Sequence, residues 1–349
     1  MPPAFAYPPK PKRGDAVAVI SPSGRAAAQF PAPVDLGLAR LRGEFGLVPV
    51  EYPTTRAAEA SPADRAKDIH AAFTNPDIKA VITVIGGEDE LKVLPHLDPD
   101  ALAGNPKPFL GYSDNTNLHL LLWNLGLVSY HGSSVMVELA RPGRLNPLTR
   151  DSLHRALFTT DTCILEEPGE YNDQEQHDWN DPATLAAEPA MTPAGPWSWH
   201  GPAVTVTGPA FGGGLEIIDF HLRTGRYLLP DDSYDGAILF LETSEELPSA
   251  SYVYRVLMCM GERGLLQRFA AIVWARPKAW AFDQPNDLAA KARYTTSQRD
   301  AVLAAAAEYH PGAPVVFGAD FGHTDPQHVI PSGGAVTVDG QTQQIQVTY

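Results

Sequence analysis

The chain has 349 residues, of which 44% are hydrophobic and 19% charged, so it has room for one large folded domain or two of ordinary size. Its net charge of −15 argues against binding to nucleic acid or to an anionic membrane surface, because both need a basic face. The two cysteines, Cys163 and Cys259, form neither a disulfide framework nor a zinc motif. Without an N-terminal signal core or a run of about 18 apolar residues, the sequence predicts a cytoplasmic protein.

Strands and helices alternate through the first 125 residues. The predicted strands are apolar runs at 15–21, 47–52, 80–85 and 109–112, and the predicted helices lie at 34–45, 61–75 and 91–97. This alternation is typical of a parallel sheet covered by helices on both faces. Ligand sites in such sheets lie at the carboxyl ends of the strands. We therefore expect Gly86–Gly87 and Ser113, which both follow strands, to face one crevice.

The composition of the sequence changes between residues 141 and 200. This stretch is rich in acidic residues and prolines and contains Trp179, Trp197 and Trp199, which predicts a linker and a long irregular segment. Alternating strand and helix patterns then resume, and PAFGGG at 209–214 is predicted to be a Gly-rich turn before a helix. The later predicted strands are at 237–241, 270–274 and 314–318, the later helices at 215–222, 249–263 and 298–309, and a closing hairpin at 335–338 and 344–348.

Ser113 stands at a predicted strand-to-helix turn in the segment KPFLGYSDNTNLHLLLW, residues 107–123. Gly111 supplies the backbone freedom that a tight turn needs, and Asp114 and Asn115 are good helix-capping residues. A serine at such a turn is exposed beside the free N–H groups of the new helix, which is how hydrolases present a nucleophile. An ordinary helix cap explains the same local sequence equally well.

Two further polar residues follow predicted strands. Glu242 comes directly after AILFL, and His323 follows PVVFGADFG. A serine needs a base to become a nucleophile, a histidine can supply that base, and a carboxylate orients the histidine. Spacing alone leaves the choice of histidine open. The rivals of His323 are His119, His131, His310 and His328, of which His131 is the most serious because it follows a strand.

Phosphate-binding motifs are missing. The sequence contains neither G-x-G-x-x-G nor G-x-x-x-x-G-K-[ST], which disfavours dinucleotide and P-loop chemistry. Gly86–Gly87 either ends a strand or brings backbone N–H groups close to a ligand. No ligand spacing for a metal is present.

Six segments together resemble the LD-carboxypeptidase family of serine peptidases. They are GDAVAVISPSG at 14–24, VIGGEDELKVLPHLD at 84–98, KPFLGYSDNTN at 107–117, PAFGGGLEII at 209–218, AILFLETSEE at 237–246 and ADFGHTDPQHVIPSGG at 319–334. The resemblance spans nearly the whole chain, and the segments follow the order of the family.

The resemblance implies a hydrolase of amide bonds with a Ser-Glu-His triad, carried by Ser113, Glu242 and His323. It implies an oxyanion hole of the N–H groups of Gly87 and Asp114, no metal and no organic cofactor, and a homodimer. The implied fold is α/β, with a parallel-sheet α/β domain at 1–140, a linker and substrate loop at 141–200, and at 201–349 a C-terminal α/β domain with a small barrel-like sheet.

Two branches of the family differ in substrate. Murein-recycling members carry an RGGYG-like turn after the third strand, where this chain has IGGEDEL. The sequence is more similar to members like the microcin C immunity peptidase, which cleave an aminoacyl amide on a nucleotide-like toxin. In that interpretation Trp179 or Trp197 contacts a base, and Gly86 and Glu88 contact the substrate; the alternative is that the tryptophans only pack the loop.

Three other functions stay open. One is a murein tetrapeptide carboxypeptidase, and another is an esterase of the α/β-hydrolase type, which Asn115 disfavours because that fold has G-x-S-x-G. The third is a non-catalytic protein that binds a peptide or a nucleotide in the same crevice.

Overall fold

The computed structural model describes residues 4–174 and 178–349. Its strands are, in chain order, Ala16–Ile20 (β1), Val48–Glu51 (β2), Ile78–Thr83 (β3), Phe109–Gly111 (β4), Ser129–His131 (β5), Thr162–Ile164 (β6), Glu170–Tyr171 (β7), Thr192–Pro193 (β8), Ser198–His200 (β9), Thr205–Gly214 (β10), Ile238–Glu242 (β11), Ala271–Ala275 (β12), Val315–Ala319 (β13), Ile330–Ser332 (β14), Ala335–Asp339 (β15) and Gln344–Thr348 (β16). Its α-helices are Ala26–Gln29 (α1), Pro31–Gly43 (α2), Pro62–Thr74 (α3), Pro99–Ala103 (α4), Thr116–Asn124 (α5), Pro147–Phe158 (α6), Leu215–Thr224 (α7), Ala250–Glu262 (α8) and Leu288–Tyr309 (α9).

One large mixed sheet runs through both halves of the chain. Its strand order is β2-β1-β3-β4-β5-β14-β10-β11-β12-β13-β9. The strands from β1 to β5 are parallel to one another, and so are β14, β10, β11, β12 and β13. Strand β5 pairs with β14 in the antiparallel sense, so strand direction reverses where the two halves meet. This architecture confirms the predicted α/β fold class.

Strand β10 belongs to two groups of strands. Its first half, from Thr205 to Pro209, pairs with β15 in the antiparallel sense, and its second half, from Ala210 to Gly214, is parallel to β11. Strand β15 pairs in turn with β16, and β16 with β6. The result is a small antiparallel sheet that branches from the main one.

Three apolar clusters hold these layers together. The largest joins strands of both halves, from Val17 and Ile82 in the first half to Phe240 and Val273 in the second. Because burial of apolar area is the main favourable contribution to folding, this shared core fixes the two halves against each other. A buried Trp123, on α5, packs against Phe211 and so extends the contact between the halves.

Most predicted elements of regular structure are confirmed within two or three residues. Ser61 and Ser249 cap helices α3 and α8 as their sequences indicate, by accepting hydrogen bonds from the backbone N–H groups of Asp64 and Tyr252. The predicted closing hairpin is formed by β15 and β16.

Four expectations about local structure are wrong. The PAFGGG segment is the second half of β10 and not a turn, because its glycines lie so close to β11 that a Cβ on Gly212 would stand 1.8 Å from the Phe240 carbonyl oxygen. The stretch predicted as linker contains the 12-residue helix α6, capped by Asn146. Helix α9 starts ten residues earlier than expected, and the helix predicted at 91–97 is a pair of 3-10 turns.

Within the described ranges, we find no helix with the length and apolar character required to cross a bilayer.

Candidate active site

Ser113 adopts a strained backbone conformation directly after β4. Its φ of +61° lies in the left-handed region, which residues other than glycine rarely adopt. A 3-10 turn from Ser113 to Asn115 follows and leads into α5. The predicted strand-turn-helix is thus present, and backbone strain of this kind is concentrated at functional sites.

Gly111 serves a different purpose from the one predicted. The left-handed residue of the turn is Ser113 itself, whereas Gly111 is the last residue of β4. A Cβ on Gly111 would lie 2.6 Å from the Thr83 Oγ1 atom on the neighbouring strand. The glycine therefore allows β3 and β4 to approach closely.

Asp114 and Asn115 do not cap α5 with their side chains. The Asp114 carboxylate instead accepts hydrogen bonds from Ser23 Oγ, from the Glu90 backbone N–H at 2.9 Å and from Asn117 Nδ2 at 2.8 Å. These donors lie in the loop after β1, in the loop after β3 and in α5. Asp114 thus ties three segments together around Ser113.

Gly86 lies against the Ser113 side chain. A Cβ on Gly86 would stand 2.8 Å from Ser113 Cβ and 3.0 Å from Ser113 Oγ, and one on Gly87 would stand 2.6 Å from the Gly24 nitrogen. The Gly24 N–H donates a hydrogen bond of 2.9 Å to the Gly86 carbonyl oxygen. Both glycines are therefore required by close packing, and they leave an open space beside the serine hydroxyl.

Replacing Gly86 by alanine tests the importance of that space. With Ser113 as the candidate nucleophile, we expect Gly86→Ala to lower kcat by about 100-fold or more, because misplacement of a reacting group by about 1 Å has an effect of this size. Gly312→Ala is the matched control, since no heavy atom lies within 4 Å of a Cβ at that position. Steady-state kinetics and thermal unfolding of both variants make the comparison, and a fully active Gly86→Ala enzyme would contradict it.

Glu242 and His323 are in direct contact. The His323 Nδ1 atom lies 2.5 Å from Glu242 Oε2, and the Glu242 side chain is fully buried at the end of β11. His323 comes from the loop after β13, and its ring packs edge-on against Tyr112, the residue before Ser113. A carboxylate in this position fixes the tautomer and the orientation of an imidazole.

The electrostatic environment of His323 favours its charged form. Burial opposes the charge, but the Glu242 carboxylate, together with Glu245, outweighs burial and raises the pKa of His323 to about 9. An ordinary histidine has a pKa near 6.5. The two carboxylates therefore favour the imidazolium form of His323.

The other histidines differ from His323 in their partners. Both ring nitrogens of His119 are engaged, one with Ser129 Oγ and the other with the Gly111 carbonyl oxygen. Burial lowers the pKa of His119 to about 4. His310 and His328 each contact a backbone carbonyl oxygen. The ring nitrogens of these three histidines are therefore engaged in structural contacts.

His131 is the exception that sequence reasoning singled out. Its Nε2 atom lies 4.0 Å from Glu242 Oε1, the oxygen that His323 does not use. Burial, and the nearby His119 and His323, lower the pKa of His131 well below its ordinary value, so the ring is neutral. Glu242 thus lies between two histidines, of which His323 is the hydrogen-bonded one.

The ends of β4, β10 and β11 meet although they belong to different halves. The Gly214 N–H donates a hydrogen bond of 3.0 Å to Thr116 Oγ1, in the first turn of α5. A Cβ on Gly214 would stand 3.6 Å from both the Ser113 carbonyl oxygen and Glu242 Oε1. The nucleophile candidate and the carboxylate are thereby brought to one place.

Glu245 is a site residue that sequence reasoning missed. Its Oε2 atom lies 3.2 Å from His323 Nε2, and within the described chain no hydrogen bond joins Ser113 Oγ to His323. Its position three residues after Glu242 is the signal in the sequence that points to it. Tyr112, whose hydroxyl donates to Glu138 Oε1 at 2.8 Å, was missed as well.

The other residues predicted to contact the substrate differ in their burial and in their partners. Trp197 is buried, and its indole N–H donates a hydrogen bond of 2.8 Å to Asp320 Oδ2. This environment agrees with the alternative that the tryptophan only packs the loop. Trp179 is partly buried and packs edge-on against Phe30, near the loop after β1. Glu88 is exposed at the tip of the loop after β3.

No three His, Cys, Asp or Glu side chains are grouped as metal ligands in residues 4–174 and 178–349.

Comparison with known families decides the affiliation of the chain. The model described as the LD-carboxypeptidase N-terminal domain matches residues 17–132, and that described as the LD-carboxypeptidase C-terminal domain matches residues 207–338. The chain belongs to the LD-carboxypeptidase family. It is a serine-type carboxypeptidase, as the resemblance of its motifs predicts.

Two relatives with high coverage define the branch of this LD-carboxypeptidase. A Vibrio cholerae protein that bears a carboxypeptidase name is 26% identical over 93% of this chain and 92% of its own length. The microcin C7 self-immunity protein MccF of Escherichia coli is 26% identical over 82% of this chain and 78% of its own. Both similarities extend over both halves, and the predicted MccF-like branch is confirmed.

Solved structures share the fold. An MccF-like protein from Streptococcus pneumoniae, in complex with AMP, has a TM-score of 0.83 at 24% identity and covers 96% of this chain and 99% of its own. MccF in complex with glutamyl sulfamoyl guanosine has a TM-score of 0.81 at 23% identity and covers 99% of each chain. An MccF-like protein from Bacillus anthracis has a TM-score of 0.82 at 24% identity, over 99% of this chain and 100% of its own.

Proposed function

We propose that this LD-carboxypeptidase cleaves an amide bond with a triad of Ser113, Glu242 and His323. The observation that carries the proposal is the 2.5 Å contact between His323 Nδ1 and Glu242 Oε2, beside a turn in which Ser113 adopts a φ of +61°. A buried carboxylate, an imidazole and a hydroxyl on a strained turn are the components that acyl transfer requires.

The reaction begins with proton transfer from Ser113 Oγ to Nε2 of a neutral His323. The serine oxygen attacks the amide carbonyl carbon, and the electron pair of the C=O bond moves onto the oxygen. The N–H groups of Gly87 and Asp114 then stabilise the oxyanion, since backbone donors aimed at developing charge contribute about 3–4 kcal/mol each in comparable sites. The packing of Gly86 against Ser113 supports this assignment.

The second half of the reaction reverses the proton transfer. His323 donates its proton to the leaving amine as the C–N bond breaks, which leaves an acyl-enzyme on Ser113. Water, activated by the neutral His323, hydrolyses the ester and restores the serine. Glu242 stays ionised throughout and stabilises the imidazolium.

The proposal divides the site between two regions of the chain. We assign Ser113 to a domain at 1–140, Glu242 and His323 to a domain at 201–349, and the segment at 141–200 to the connection and part of the substrate site. The family matches at 17–132 and 207–338 support these boundaries. A homodimer and a cytoplasmic location stay predictions.

We propose an aminoacyl-nucleotide-like amide as the substrate, which would make the reaction a detoxification of microcin C type. Similar solved proteins were crystallised with AMP, with glutamyl sulfamoyl guanosine and with aspartyl sulfamoyl adenosine, which supports this class of compound. Gly86 and Glu88 lie in the loop beside Ser113 and are proposed to contact the aminoacyl part. Of the two tryptophans proposed to bind the base, Trp179 is the better placed, because Trp197 is buried and already donates to Asp320.

Replacing Trp179 tests the assignment of the base. We expect Trp179→Ala to raise KM for an aminoacyl sulfamoyl adenosine by about 5- to 100-fold, because stacking on a base contributes about 1–3 kcal/mol. A substrate without a base should show an unchanged KM, which controls for damage to the fold. An equal change for both substrates would contradict a contact with the base.

The main test identifies the products by mass spectrometry. The enzyme is incubated with an aminoacyl sulfamoyl adenosine and, separately, with a murein tetrapeptide, with Ser113→Ala as the control. We expect the mass of water to be added across the aminoacyl amide by the wild type alone. Exclusive release of D-alanine from the tetrapeptide would favour a murein peptide carboxypeptidase, the activity named for shorter matches from Bacillus subtilis and Pseudomonas aeruginosa. Turnover of neither compound, with tight binding of both, would indicate a binding protein.

A further inference from the structure

The carboxylate of Glu245 occupies the side of His323 that a nucleophile requires. Its Oε2 lies 3.2 Å from His323 Nε2, while Glu242 contacts Nδ1. A histidine that activates a serine uses one ring nitrogen for the carboxylate behind it and the other for the hydroxyl. In this structure both ring nitrogens of His323 face carboxylates.

This arrangement suits an imidazolium and not a base. A carboxylate oxygen near each ring nitrogen stabilises the form of the ring that carries a proton on each nitrogen and has a positive charge. Such a ring cannot accept the proton of Ser113. The raised pKa of His323 agrees with this geometry, because both carboxylates stabilise the charge against the effect of burial.

We propose that Glu245 is a positioning residue that competes with Ser113 for His323 Nε2, so that the base becomes available only when Glu245 has moved away. The inference rests on the proposed triad and adds a resting state to it. Movement of Glu245 is feasible because its side chain is 57% exposed, in contrast to the fully buried Glu242. Because the Glu245 side chain is in contact with solvent, water can replace His323 as its partner when substrate enters.

Other groups near His323 do not reproduce this effect. Besides the two glutamates, the titratable groups near the ring in the described part of the chain are Tyr112, His131 and Lys278. Burial raises the pKa of Tyr112 and lowers that of His131, so both are neutral. Lys278 lowers the pKa of both His323 and Glu245, so it disfavours the imidazolium but favours the ionised carboxylate of Glu245. The charge that holds Nε2 is therefore that of Glu245.

The first experiment measures the protonation of His323 without relying on turnover. We expect Glu245→Gln, made in the Ser113→Ala background, to lower the pKa of His323 by about one unit in an NMR titration of labelled histidine, since loss of a nearby opposite charge has an effect of this order. Glu246→Gln is the matched control. It removes the same charge from the next residue, which is exposed, and should leave the titration of His323 unchanged.

The second experiment measures the pH dependence of kcat/KM in enzyme with Ser113 intact. In the wild type, kcat/KM should rise as the pH rises through the pKa of His323, because only the neutral imidazole accepts a proton. Glu245→Gln should move this acid limb to lower pH and raise kcat/KM at pH 7 by about three- to tenfold. Glu246→Gln should follow the wild-type profile.

Two results would overturn the proposal. One is an unchanged pKa of His323 in Glu245→Gln. The other is a loss of activity in that variant with no movement of the acid limb, which would identify Glu245 as a substrate contact. Failure of the triad is seen separately, as turnover that survives Ser113→Ala.

Discussion

Ser113→Ala should reduce the turnover of this LD-carboxypeptidase by at least about 10⁴-fold, the range seen when the nucleophile of a serine hydrolase triad is removed. The fold should be retained, because the substitution removes one oxygen from a side chain that is only partly buried. The backbone strain at Ser113, with its φ of +61°, is unchanged by alanine. Substrate should therefore still bind, and only the covalent step should be lost.

A second serine provides a matched control for that experiment. Ser133 also has a left-handed backbone, with a φ of +55°, and it follows the neighbouring strand β5. Its Oγ is buried and has no hydrogen-bond partner in the described chain, so Ser133→Ala removes no hydrogen bond. We expect Ser133→Ala to keep wild-type kcat. Equal activity of the wild type and Ser113→Ala would refute the assigned nucleophile.

Glu242→Gln should lower kcat by about 10³- to 10⁴-fold, the effect known for the corresponding substitution in a serine protease triad. An amide removes the negative charge that stabilises the imidazolium and can present a donor to Nδ1, which favours the wrong tautomer. Folding should be little affected, since the carboxylate is fully buried and the neutral amide is easier to bury.

The pH dependence of kcat/KM distinguishes the loss of the Glu242 charge from general misfolding of the site. Glu242 raises the pKa of His323, so its loss should move the acid limb of kcat/KM to lower pH. Glu242→Gln and Glu245→Gln thus shift the limb in the same direction but change the rate at pH 7 in opposite directions. Steady-state kinetics from pH 5 to pH 10 on both variants measure this difference, and near wild-type kcat in Glu242→Gln would exclude a triad role.

Local sequence predicted the elements that carry the site. Alternating apolar runs located most of the strands, and helix signals located helices such as α3 and α8, whose caps Ser61 and Ser249 make their hydrogen bonds within four residues. The ordered motifs predicted the family, which the matches to both of its domains confirm. The turn predicted at PAFGGG was wrong because its glycines are required by close contact with β11, a partner 28 residues away.

The arrangement of the site depended on contacts that no local pattern encodes. Strand direction reverses at the β5–β14 pair, so the carboxyl ends of β4 and β11 could not be assumed to meet. They meet because Gly214 bonds to Thr116 across the two halves and because one apolar core spans both. The choice among five histidines likewise followed from packing, which brings His323 to within 2.5 Å of Glu242.

The sequence by itself thus determined the fold class and the family, because both follow from residue type and short-range order, and its resemblance to the family named the three residues proposed for the triad. Only the tertiary structure decided that His131 lies 4.0 Å from the same carboxylate, that Trp197 is buried, and that Glu245 faces the free nitrogen of His323. The physical reason is that electrostatic effects depend on distance and burial, and long-range packing determines both.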